Sequence, residues 1–264
     1  MKTLLTYLQL TVFILRQGLI AAMQYRVSFV MQIGGMIVND IFWLLLWILY
    51  FQRFPEVNGW RFEDSALLLA ISCTTFGIFM FMAWGLLDLA RKIAQGELDY
   101  YLSMPRNTLW HVSLGRLALA GLGDLLFGIM VFLCFCRVTW QNGMVFVVVS
   151  LLAAWIVYSF VVLTQSICFF TGNFERAASH LFWTLVTFGL YPYSAFEGLL
   201  KIITVTLLPA YFIYAVPVRL VKVFSLRGLV EIGVFALALF ALAVFTFNRG
   251  LRRYESGNSL ALRR

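Results

Sequence analysis

Few residues of this chain sit where their side chains do chemistry in an apolar setting. Asp40 and Asp124 each fall near the middle of a long apolar run. An ionised carboxylate at that depth is costly unless paired, hydrated or protonated, so both acids are expected to face the interior of a helix bundle. There they would receive a cationic or hydrogen-bonding cargo, or bond structurally to Asn39 and to hydroxyl groups of neighbouring helices; residue types alone leave both readings open. His111 and His180 are far apart in sequence, and Cys73, Cys134, Cys136 and Cys168 lack metal-ligand spacing. No metal is expected, and the four thiols read as buried and free. A Gly-x-x-x-x-Gly-Lys-Ser/Thr loop, a Gly-x-Ser-x-Gly elbow and a His-Glu-x-x-His pair are all missing from the sequence. Neither a catalytic nucleophile nor a cofactor is expected, and any ATP dependence must come from a partner.

The elements that position these acids are membrane spans. The chain is 62% hydrophobic and 12% charged, far from the composition of soluble domains. It reads as an all-α integral membrane protein with one domain over residues 1–264. Apolar runs at about 27–51, 66–90, 112–136, 144–170, 177–191 and 228–247 predict six crossings, several of them as long as the ~20 residues that a span requires. Before them, Leu4, Leu8, Val12, Leu15, Leu19 and Met23 recur at helical spacing with polar residues on the other faces. That pattern predicts an interfacial helix over residues 1–26. Residues 193–220 form a further apolar stretch, but Pro209 and Pro217 interrupt it and Glu197 and Lys201 stand near its start. It is expected to dip into the membrane from outside and return as a re-entrant hairpin.

The net charge of +8 is explained by span ends and lipid headgroups rather than by nucleic acid. With both termini in the cytoplasm, thirteen of the twenty basic residues lie inside and seven outside. This is the orientation that the excess of Lys and Arg in cytoplasmic loops favours, and the basic tail at 249–264 then lies inside.

The longest connector is 91–111, and its part at 91–105 is charged and amphipathic. Ile93, Leu98, Tyr101 and Leu102 supply an apolar part, Glu97 and Asp99 an acidic one, and Pro105 stops the helix soon afterwards. A part-apolar, part-acidic surface suits a groove on a soluble protein better than an anionic leaflet; a solvated connector would look the same by spacing.

The order Ile93, Gly96, Glu97, Leu98, Asp99, Leu102, Pro105, Asn107 resembles a signature of permease subunits in a small six-span branch of the type-2 ATP-binding-cassette exporters. The tail Gly250-Leu251-Arg252-Arg253-Tyr254-Glu255-Ser256-Gly257 resembles the tail of the same branch. The resemblance implies that residues 91–105 meet ABC ATPase subunits and that two six-span permeases, identical or related, work together in the cytoplasmic (inner) membrane. It leaves the cargo unnamed. Two other classes remain open from the residues: an ion-coupled secondary transporter using Asp40 and Asp124, and a membrane scaffold.

Overall fold

The structure, a computed structural model, describes residues 2–105, 107–136 and 138–254, without the side chains of 2–5 and 194. Among the described residues the chain is helical with no strand. Helix α1 (Lys2–Gln24) lies outside the bundle. Its hydroxyl-bearing face rests on residues 107–117: the Tyr7 and Trp110 rings meet edge to face at 5.3 Å, and the Trp110 indole donates to Thr11 at 3.2 Å. Helix α2 (Arg26–Arg53) buries only Asp40, Leu44, Trp47 and Phe51, a stripe at i, i+4, i+7 and i+11. Helix α3 (Phe62–Ala83) is buried nearly all round, from Asp64 to Ala83, and is the central rod. The Asp64 carboxylate accepts from the Arg61 amide at 3.0 Å to cap its start.

Below α3 comes a 3₁₀ turn (Trp84–Asp88), then α4 (Leu89–Gln95) and α5 (Leu98–Leu102). Helix α6 (Thr108–Leu114) follows, with the Asn107 side chain accepting from the Trp110 amide at its cap. Helix α7 (Ala120–Phe135) is separated from α6 by a non-helical break at 115–119. The expected straight span at 112–136 is thus two helices. The reason lies next to it: Gly85 and Ala118 donate backbone bonds to the Arg116 and Met80 carbonyls, both at 3.2 Å, so the break in this span lies against the 3₁₀ break below α3. Irregular backbone at membrane depth survives only where protein satisfies it. Gly85 allows the approach, because a Cβ there would collide with the Val112 carbonyl.

Helix α8 (Trp140–Ser166) is a full span capped by Thr139, followed by the short α9 (Cys168–Thr171). The expected crossing at 177–191 becomes α10 (Glu175–Phe188), 14 residues long and about 21 Å by helical rise, short of the ~30 Å hydrocarbon layer. Helix α11 (Gly198–Thr206) and the π turn Tyr211–Ala215 with α12 (Val216–Lys222) are bent by 80° at Pro209. No continuous helix runs through the proline. Helix α13 (Leu226–Leu251), capped by Ser225, closes the bundle against α8. Among the described residues five helices are able, by length and composition, to cross a membrane, or six if the bent pair is one span. Those five include α1, expected to be interfacial, and exclude α7 and α10, expected to be spans.

Candidate functional site

Two sites emerge, one at the end of the bundle that carries the 91–105 loop and one at mid-depth. At the loop end, Gly96 ends α4 with φ of 77°, a left-handed conformation that side chains with a Cβ adopt only under strain. That requirement explains a glycine between the two short helices. Asp88 is an ionic hub: the Arg116, Lys92 and Arg91 side chains approach its carboxylate at 3.4, 3.8 and 4.0 Å. Arg91 also reaches Glu97 at 3.1 Å, closing the connector on itself.

This geometry divides the residues read from sequence. Ile93 and Leu98 are buried and pin α4 and α5 to the bundle. Glu97, Asp99, Leu102 and Pro105 are exposed, and Tyr100 is 66% exposed beside them. The apolar part of the face is therefore Tyr100 and Leu102, with Glu97 and Asp99 as its acidic part. The connector is held from behind as well. The Ala90 amide donates to the Gln165 side chain at 3.0 Å, and the Cys168 thiol donates to the Ala90 carbonyl at 3.3 Å.

The tail completes this end. Gly250 lies flat on the Phe169 ring, the Phe169 and Tyr254 rings meet at 6.1 Å, and the Arg253 guanidinium stacks 5.4 Å from the Phe170 ring. The Tyr254 hydroxyl is buried facing the start of α5, near the Asp99 carboxylate and the Leu98 and Asp99 amides, without closing a full hydrogen bond. Burial, and then the Asp99 charge, push its phenol up to about 12. The connector and the first part of the tail, the two stretches that carried the sequence resemblance, are thus neighbours in space. Tail residues Glu255, Ser256 and Gly257, the remaining tail to 264, and Arg106 and Arg137 lie outside the described residues.

At mid-depth, α3 and α7 touch backbone to backbone. A Cβ on Gly77 would lie 2.6 Å from the Leu125 amide and 2.7 Å from the Gly121 carbonyl, and one on Gly128 would lie 2.7 Å from the Ala70 carbonyl. On α2, the Ile33 carbonyl comes equally close to Gly123. Asp124 lies on this glycine face of α7, 3% exposed, and meets Asp40 of α2, 4% exposed. The buried Cys73 thiol of α3 is the third wall. Asn39 donates to one Asp40 oxygen at 3.3 Å, while the other is sealed without a closed hydrogen bond. Sequence placed each acid inside the bundle; the structure brings the two together.

A family model described as ABC-2 family transporter protein matches residues 37–258. The chain belongs to that family. It is accordingly a multi-pass membrane permease of an ABC transporter, and both signature stretches lie within the matched region. Permeases of this family are generally non-catalytic membrane components, and membership implies association with an ABC ATPase. Neither a curated protein nor a solved structure matches the chain. Sequence reasoning about the permease missed Asp88 as an ionic hub, and missed Gln165, Cys168 and Tyr254 as supports of the connector. Nothing in a single sequence pairs residues so far apart; only Gly85 and Gly115, glycines inside or beside apolar runs, signalled the breaks.

Proposed function

We propose that this permease exports its cargo: its connector at 91–105 docks on a separate ABC ATPase, whose closure on ATP moves the spans and opens the path outward. A second six-span permease, identical or related, forms the other half of the assembly, and both termini and Gln95 face the cytoplasm of the inner membrane. The observation that carries the reading is the connector itself. It presents Glu97, Asp99, Tyr100 and Leu102 outward while Ile93 and Leu98 lock it into the bundle, so a push on the exposed face is delivered to α6, α8 and α9 rather than absorbed by a slack loop. Thirteen basic residues inside against seven outside support the orientation.

Charge reversal at Glu97 and Asp99 is the test, with association read by co-purification and coupling by transport per ATP hydrolysed. The double variant is expected to lose ATPase association or coupling at least tenfold. Arg91→Ala opens the same internal pair without changing the outward acids, and is expected to act weakly. Wild-type complex yield and transport in the double variant would refute the docking face. An ion-coupled transporter remains the competing mechanism because Asp40 and Asp124 meet in the interior; ATP-independent transport by the purified chain would favour it.

A further inference from the structure

A cavity of about 640 Å³ lies between α1, α3, α6, α8 and α13, within the range of ~300–1,000 Å³ usual for sites that take small molecules. Its far end is aromatic: Trp155 packs at 4.7 Å on Phe240 and at 5.8 Å on Tyr158. Its mouth carries the exposed amides Asn107 and Asn248. Phe240 stands eleven residues before the end of α13, or ~16 Å by helical rise, so the cavity reaches from the loop end to about the middle of the hydrocarbon layer. It opens sideways, because Leu151 and Trp155 on its wall are 53% and 44% exposed.

The chemistry of the lining is selective. Among the described residues no Asp, Glu, Lys or Arg contributes to it. Its hydroxyl groups can be assigned one proton at a time. Ser113 has a single proton and gives it to the Leu109 carbonyl at 2.7 Å. The 3.1 Å contact between Ser113 and Tyr158 must then be donated by Tyr158, which leaves the lone pairs of the Tyr158 oxygen for a ligand. Thr11 likewise spends its proton on the Tyr7 carbonyl and receives the Trp110 indole. The interior therefore offers an acceptor and no charge, and the mouth offers two neutral amides.

We infer that this cavity takes an uncharged amphiphile, an apolar body bearing a hydroxyl or amide donor, drawn sideways from the leaflet at the loop end. This rests on the permease reading above, under which that leaflet is cytoplasmic and the amphiphile is the cargo. A charged head would find no counter-ion inside and would be left to the mouth.

The test uses the full chain co-expressed with its ATPase and a monoacylglycerol with a brominated chain as probe. Quenching is read at Trp155 as the difference between the native complex and Trp155→Phe. Saturable quenching is expected, weakened five- to tenfold by Tyr158→Phe, which removes the acceptor and keeps the shape. It should weaken more than tenfold in Ala154→Phe, which fills the cavity. Brominated lysophosphatidylglycerol and a brominated alkylammonium should not saturate the site. Unsaturable quenching, indifference to both variants, or equal binding of the charged probes would overturn the proposal. So would cross-linking of Trp155→Cys to a second copy, which would show the opening covered by protein. Saturable binding by a chain that retains no ATPase would sink the permease reading and leave the site standing; an ATPase-bound complex with no saturable binding would do the reverse.

Discussion

Carboxylates are held in opposite ways in two regions of this molecule. At the loop end, Asp88 has three cations within 4.0 Å and Glu97 has one. Between α2, α3 and α7, Asp40 and Asp124 are buried against each other with no cation bonded to either among the described residues. The first arrangement fixes geometry. Although exposed pairs contribute only about 0–1 kcal/mol each, Lys92 is nearly buried and depends on Asp88, so the hub sets the angle at which α4 leaves the bundle. The second arrangement has no such use. Glycine contacts hold α7 on α3 at Gly77 and Gly128 and on α2 at Gly123, and well-packed apolar residues would hold the same helices at least as well as buried polar ones. Whether the acid pair serves the fold or transport is decided by variants that keep the side-chain shape and remove the charge.

The largest effect is expected from breaking the walls around the pair. A Cβ on Gly121 would lie 2.9 Å from the Gly77 carbonyl and 2.9 Å from the Phe81 amide, both backbone atoms of a buried helix. Gly121→Leu must separate α3 from α7 and should abolish the monodisperse protein in size-exclusion chromatography. Gly35 on α2 has nothing within 4 Å, and Gly35→Leu should elute at the native yield. Equal behaviour of the two variants would remove the seam as the device that brings Asp40 to Asp124.

A smaller effect on folding and a larger one on transport separates the two regions. Asp40→Asn and Asp124→Asn keep the shape of each side chain, so purified protein should melt within a few degrees of the native chain while transport falls about tenfold or more. Normal transport by both variants would leave the pair a structural contact and would erase the contrast with the loop end.

Much of this arrangement was legible in the sequence because hydropathy reads side chains over long runs: α2, α3, α8 and α13 stand where their apolar stretches are. The Pro209 break was legible because proline removes a backbone donor. What sequence could not show is where backbone bonds to backbone. The breaks at 84–88 and 115–119 satisfy each other through Gly85, Met80, Arg116 and Ala118, a solution invisible to any pattern of side chains. The same holds for the sites. Asp40 and Asp124 each stand in the middle of an apolar run, where an ionised group is costly, so each read as internal, yet their meeting depends on how closely two helices pack. Ile93 and Leu98 belonged to an amphipathic segment, and spacing could not tell a face turned to a partner from one turned to the bundle.

The smallest effect is expected at Tyr254, where the tail meets α5. Its ring packs against Phe169 while its buried hydroxyl closes no full hydrogen bond, so the two parts of the side chain should separate cleanly. Tyr254→Phe should change stability by less than about 1 kcal/mol. Tyr254→Ala loses the half-buried ring and should cost about 1–2 kcal/mol, read by thermal melting. The hydroxyl has a pH signature of its own. Its phenol is pushed up to about 12, above the ordinary 10, so the folded state favours the neutral form. Its stabilisation is complete below pH 10 and is lost as pH rises toward 12. The contact should therefore be indifferent to pH between 6 and 9, and Tyr254→Phe should flatten the loss of stability at the alkaline end. An unchanged alkaline profile in that variant would place the hydroxyl in solvent and detach the tail from the connector, leaving Asp88 and the Ala90 bonds as the supports that hold the connector.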